Sequence, residues 1–189
     1  MSNENSKFSL FGQFGRRRRL RSQICAEQDR LYRIAWSWCH DSCQAEDLVQ
    51  ETLARALSKV DNLHDEQRLQ VWLTRILANL HRDHYRRTRP ESSLEGDALT
   101  AEDDPEYAAC RSQLIALTRQ AVALLGQDQR QVLTLVDIAQ FSYADTATIL
   151  GLPVGTVMSR LSRARRRMRE LLEQRGIGDA DVVPLRRHR

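Results

Sequence analysis

Apolar positions recur along this chain at three- and four-residue spacing, which predicts helices almost throughout. Leu31, Ile34, Ala35 and Trp38 form one stripe, and Val49, Leu53, Ala56 and Val60 a second. Leu73, Ile76, Leu77, Leu80 and His84 form a third. After a break, Leu114, Leu117, Ala121 and Leu124 resume the pattern, followed by Val132, Leu133 and Val136. Alternating runs and β-branched clusters are scarce, so the spacing predicts an all-α fold. Residues 90–106 interrupt the stripes with Pro, Ser, Gly and seven acids and contain no basic residue, which is linker composition. The plan is therefore two small helical domains, 26–90 and 110–175, joined by an acidic flexible linker at 91–109. A disordered basic arm at 1–25 precedes them and a short tail at 176–189 follows.

The segment from Ser142 to Arg175 adds punctuation. Ser142 suits an N-cap, with Asp145 three residues on in a weak capping box. Gly151 stands where a helix must stop in a left-handed conformation, and Pro153 where the next begins. This predicts a short helix, a tight turn and a long helix from Pro153 to Gln174, about 33 Å at 1.5 Å per residue. On that helix Val157, Leu161, Ala164, Met168 and Leu171 share one face, while Thr156, Ser159, Arg160, Arg163 and Arg167 lie off it. A basic helix of this size fits the major groove, its early residues meeting base edges and its later arginines phosphates. Arg160 and Arg163 are the candidates for bases, and Arg165 to Arg169 for the backbone.

Charge sharpens this picture. The net charge is only +4, yet Lys7 and Lys59 are the only lysines among 29 basic residues. Arginine makes planar two-pronged contacts to phosphate and guanine that lysine cannot make. A second basic helix spans Val71–Arg89, where Arg75, Asn79, Arg82 and Arg86 recur opposite the apolar stripe, with His81, His84, Arg87 and Arg89 nearby. Before it, Lys59–Gln70 is polar and loop-like, with Asp61, Asn62 and His64; Trp72 marks the junction. A basic helix, an aromatic and a polar loop suit unpaired DNA, although Trp72 reads first as a core anchor. The helix Ala45–Val60 has the opposite sign, with Glu46, Asp47, Gln50 and Glu51 near its start. Helix-dipole placement accounts for part of that, and the patch as a whole suits a basic protein partner.

Other chemistry is excluded or left open. Cys39, His40 and Cys43 lack a second ligand pair, so they read as packed thiols rather than a metal site. There is no phosphate-cradling glycine loop, HExxH or GxSxG, and no carboxylate pair to bury, so neither catalytic residues nor cofactors are expected. No apolar run approaches the roughly 18 residues of a membrane helix. Arg16–Arg19 follow the small N-terminal apolar patch, the reverse of a signal peptide, and four cysteines fit reduced thiols. An intracellular, cytoplasmic protein without membrane insertion is expected. The run Arg16–Arg19 reads equally as a phosphate contact or a solvated tail.

Three stretches together resemble the bacterial RNA polymerase sigma factors of the extracytoplasmic-function (ECF) group: AEDLVQETLARAL (Ala45–Leu57), VWLTRILANLHRDHYRR (Val71–Arg87) and QRQVLTLVDIAQFSYADTATILGLPVGTVMSRLSRARRRM (Gln129–Met168). The resemblance implies sigma region 2 followed by a helix-turn-helix region 4, and a non-enzymatic subunit that directs promoter-specific initiation. It implies Asp47, Leu48, Gln50 and Glu51 on the clamp-helix coiled coil of core polymerase, with the flap region as a further contact. It implies Asn62, His64, Trp72, Arg75, Asn79, Arg82 and Arg86 at the −10 element, partly as single strand. Thr156, Ser159, Arg160, Arg163 and Arg167 would meet the −35 duplex. The acidic tether would run toward the RNA exit path, and an anti-sigma partner is allowed. The rival is a stand-alone helix-turn-helix repressor or activator, which would bind duplex tightly without polymerase. Gly126, Gln140 and Thr146 depart from residues common in the family (a proline, a glycine and an aliphatic side chain), and the loop before Trp72 lacks a phenylalanine–glycine pattern.

Overall fold

The computed structural model describes residues 4–63, 65–88 and 109–175. Among them are eight α-helices and no strand. They are α1 (Glu4–Ala26), α2 (Gln28–Cys39), α3 (Ser42–Ser58), α4 (Leu69–Thr88), α5 (Ala109–Ala123), α6 (Gln127–Leu133), α7 (Tyr143–Leu150) and α8 (Val154–Glu173). Two 3₁₀ turns, Val60–Asn62 and Glu66–Arg68, lead from α3 into α4, and a π-helical turn at Thr134–Ile138 prolongs α6.

The predicted stripes form the core. Leu31, Ile34, Ala35 and Trp38 of α2 are buried, as are Val49, Leu53 and Ala56 of α3 and Leu73, Leu77 and Leu80 of α4. Val157, Leu161, Ala164 and Leu171 do the same for α8. Asp41 caps α3 by accepting from Gln44 N at 3.0 Å. Leu124 departs from its predicted stripe and is exposed, whereas Leu125 is buried. The reason is local: α5 ends at Ala123, so the helical period stops one residue short.

The N-terminal arm also differs from expectation. Residues 4–26 are helical, and Leu20 and Ile24, one turn apart, are 1% and 0% exposed. Burial of two such side chains contributes about 1.5–3 kcal/mol each, which docks α1 on α3 and the first 3₁₀ turn. The run of arginines conceals this two-residue stripe in the sequence. The acidic linker lies outside the described residues except at Ala109, where α5 begins, and so do the tail from residue 176 and His64.

The two helical units pack on each other. α2 meets α5, α6 and the π turn, and α4 lies along α7. Inside this junction Ser37 Oγ and Thr134 Oγ1 are 3.3 Å apart, and Gln131 Nε2 donates to His81 Nδ1 at 3.0 Å. Arg130 is half-buried and has no carboxylate partner among the described residues. Its guanidinium donates to Trp38 O (2.8 Å), Leu125 O (2.9 Å) and Ala123 O. The Trp38 and Ala123 oxygens belong to the C-terminal ends of α2 and α5, where the helix dipoles are negative, and Leu125 O follows just past α5.

Candidate nucleic-acid interface

The helix-turn-helix is built as its sequence punctuation predicts. Ser142 Oγ accepts from Asp145 N at 3.0 Å and donates to Asp145 Oδ2 at 2.7 Å. Gly151 closes α7 at φ 67°, ψ 39°, a left-handed geometry that favours glycine. The apolar face of α8 then packs inward and leaves Ser159, Arg163 and Arg167 exposed, with Thr156 and Arg160 half-buried. Ser159 Oγ donates to Thr156 O at 3.1 Å, and Arg163 Nε to Ser159 O at 3.3 Å. Arg160 pairs with Asp128 at 2.8 Å, and Arg167 with Glu170 at 3.2 Å. Arg165, expected among the phosphate contacts, is partly exposed and also engaged within the fold. Its guanidinium makes a two-pronged bond, 2.6 and 3.0 Å, to the buried Asp137 carboxylate. That bond raises the Arg165 pKa and ties α8 to the π turn.

On α4, Arg75, Asn79, Arg82 and Arg86 share the exposed face opposite Leu73, Leu77 and Leu80. Arg86 pairs with Asp83 at 2.6 Å. Arg82 lies 3.4 Å from Asn79 Oδ1 and donates to Leu150 O of α7 at 2.9 Å. Trp72 is half-buried against the core, as an anchor would be. Asn62 is exposed in the first 3₁₀ turn. On α3, Asp47, Gln50 and Glu51 are exposed, and Glu51 pairs with Arg55 at 2.5 Å. Leu48, grouped with them from sequence, is 4% exposed and packs into the core, so it backs the acidic face instead of presenting one.

Several residues at the junction escaped the sequence reading. Arg30 donates to Ala139 O at 2.9 Å and stacks on Phe141 with its guanidinium carbon 4.8 Å from the ring centre. Arg68 pairs with Asp145 at 2.7 Å, so the capping acid of α7 also binds the other unit. Their only sequence signal was surplus arginine. His81 and His40 are held neutral, their pKa values lowered to about 4, first by burial and then by the Arg130 charge. Burial chiefly drives the Cys39 thiol up to about 12, which fits a packed thiol. No metal-binding group of three occurs among the described residues, and no described helix is long and apolar enough to cross a membrane.

Family comparison decides what these faces belong to. The family model "Sigma-70 region 2" matches residues 24–91, and "Sigma-70, region 4" matches residues 115–168. The ECF RNA polymerase sigma factor EcfG of Rhodopseudomonas palustris is 40% identical over 162 residues, covering 85% of this chain and 88% of that protein. This chain belongs to the ECF RNA polymerase sigma factors. The RNA polymerase sigma-H factor of Pseudomonas aeruginosa is 33% identical over 158 residues, covering 77% of this chain and 82% of its own. Among solved structures, the sigma factor RpoE in complex with the anti-sigma factor NepR from Bartonella quintana aligns with a TM-score of 0.63 and 31% identity, over 80% of this chain and 95% of that one. CnrH in complex with the cytosolic domain of CnrY aligns at 0.60 and 27%, over 83% and 89%. As an ECF sigma factor, the chain acts with core RNA polymerase on promoter DNA to direct transcription initiation. Two matched sigma regions in this order disfavour the stand-alone repressor.

Proposed function

We propose that the two exposed arginine faces divide the promoter between them, α8 on the −35 duplex and α4 on the separated −10 strand. The observation that carries this is their chemistry on separate units: Ser159, Arg163 and Arg167 on one, Arg75, Asn79, Arg82 and Arg86 on the other. Thr156 and Arg160 complete the −35 set, while Asn62 and the turns before α4 receive a −10 base, with Trp72 bracing them. Melting follows because this surface binds unpaired strand better than duplex, a shift toward the open form. Base capture of about 1–3 kcal/mol per base offsets part of the unpairing.

Asp47, Gln50 and Glu51 dock on the clamp-helix coiled coil of polymerase, and the region 4 unit on the flap. The acidic sign of that α3 face, on a chain otherwise rich in arginine, supports a basic protein partner. The factor works without a cofactor or catalytic step, in the cytoplasm. An anti-sigma factor is a further partner, by analogy with the NepR-bound relative.

Transcription in vitro tests the reading. Purified chain plus core polymerase should initiate from promoters mapped by overexpression. Tight duplex binding by the isolated chain, with no initiation from a genomic promoter library, would overturn it.

A further inference from the structure

The loop assigned to −10 capture has the wrong sign for DNA. Between Lys59 and Gln70 it carries Asp61, Asp65 and Glu66 against Lys59 and Arg68. The N-terminal helix reverses that sign. Arg16 Nε donates to Glu66 Oε1 at 2.9 Å, and its Nη2 donates to Leu63 O at 2.8 Å. One guanidinium thus joins the residue after the first 3₁₀ turn to the first residue of the second. Arg19 reaches both oxygens of Glu66, at 3.0 and 3.2 Å. Arg17 grips Asp61 with two prongs, Nε to Oδ1 at 2.7 Å and Nη2 to Oδ2. Arg18 and Arg21 are exposed on the same helix.

Exposed ion pairs alone hold little in place, because two flexible side chains must be ordered in water. Here the helix is fixed independently, through Leu20 and Ile24 in the core. Its arginines start from an ordered backbone, and the pairing falls on the loop as a positional restraint. The partner arginines hold the Asp61 and Glu66 carboxyls below their usual pKa, chiefly through hydrogen bonding to Arg17 and Arg16. Both acids therefore stay charged and paired. The region 2 match begins at residue 24, so Arg16–Arg21 lie outside it.

We propose that α1 is a positioning element for −10 recognition: Arg16 and Arg17 fix the two 3₁₀ turns and cancel the charge of Asp61 and Glu66, so that the loop approaches a polyanion in one conformation. This rests on the −10 role proposed above for that loop. The arginines act through the loop and need not touch a base themselves.

The test uses the full chain with core polymerase on its own mapped promoter and on two panels of single-base substitutions, one in the −10 and one in the −35 element. Arg16→Ala should flatten discrimination within the −10 panel by roughly tenfold, the scale of one weakly held base, and leave the −35 panel unchanged. Arg17→Asp should do the same by repelling Asp61, and the swap Arg17→Asp with Asp61→Arg should restore discrimination. Three results would overturn the proposal: wild-type −10 discrimination in Arg16→Ala, a fall shared equally by the −35 panel, or a swap as flat as Arg17→Asp alone. A wild-type chain that initiates from no promoter would sink the sigma-factor site reading itself, a distinct outcome.

Discussion

The guanidinium of Arg82, in the middle of the α4 face proposed for the −10 strand, donates to the main-chain oxygen of Leu150, the last residue of α7. That bond uses one of the five N–H donors of the guanidinium and holds the side chain against α7. Arg82→Ala should therefore have two effects of different origin. Amide exchange across α4 and α7 should quicken in the isolated chain, by about 1.5–3 kcal/mol of local protection, the range for a hydrogen bond with a charged partner. Open-complex formation with polymerase should also fall. Exchange unchanged from wild type would show that the bond does not hold the units together.

Arg163 is exposed and, among the described residues, donates to Ser159 O of its own helix. Arg163→Ala should weaken −35 recognition by about 1–3 kcal/mol, and unequally across base substitutions, if its fork reads a base edge. Arg167→Ala should weaken all sequences alike and reduce the salt dependence of binding. Filter binding over a −35 panel at two salt concentrations separates the classes. Equal loss at every base for Arg163→Ala would move it to the phosphate group.

Thr146 is fully buried in α7, and its Oγ1 has no hydrogen-bond partner among the described residues. An unpaired buried hydroxyl costs about 1–3 kcal/mol of desolvation. Thr146→Val removes the hydroxyl at nearly constant volume and should stabilise the fold by about 1 kcal/mol in urea unfolding. A destabilised valine variant would mean that the hydroxyl has a partner in solution.

Gln140 adopts φ 62° between the π turn and α7, a region few side chains enter without cost. Its Nε2 donates to Asp137 O at 2.6 Å, which offsets part of that strain. Glycine should be accepted here within about 0.5 kcal/mol, because conformational relief and unfolded-chain entropy oppose each other. A β-branched residue should not: Gln140→Val should cost about 1–2 kcal/mol. Thermal melts of both variants check the contrast.

His81 and His40 give stability a defined dependence on pH. Folded, each resists protonation until about pH 4; unfolded, each takes a proton near 6.5. The unfolded chain therefore binds more protons between those values, and stability falls as pH drops from about 6.5 toward 4. Above 6.5 these residues contribute no slope. His81 faces Arg82 and His84 on its own helix and Arg130 across the junction, and Gln131 supplies its hydrogen-bond donor. His81→Gln should roughly halve the slope between pH 6.5 and 5, read as urea midpoints. An unaltered slope would assign the effect to other groups.

Much of this was legible because helical periodicity and turn chemistry are local. The stripes of α2, α3, α4 and α8 and the Ser142 and Gly151 caps needed only neighbours three or four residues apart. The departures noted at Gln140 and Thr146 fall on a left-handed backbone and an unpaired hydroxyl, where local rules are strained. What stayed hidden was long-range. A run of arginines looks the same whether it meets solvent, DNA or a carbonyl far along the chain. Arg16, Arg30 and Arg130 find distant main-chain oxygens, Arg68 and Arg165 distant carboxylates, and only the fold brings them together. The docking of α1 was obscured likewise, because two apolar residues among so many charges carry little periodic signal.

The acceptors gathered by Arg130 are all peptide oxygens. Substituting Trp38, Ala123 or Leu125 alters a side chain but keeps a peptide oxygen at that position. The clasp itself therefore depends on one side chain, while Trp38 and Leu125 are constrained instead by their burial in the core. Lysine would keep the charge there but lose the planar fork that spans two helix ends.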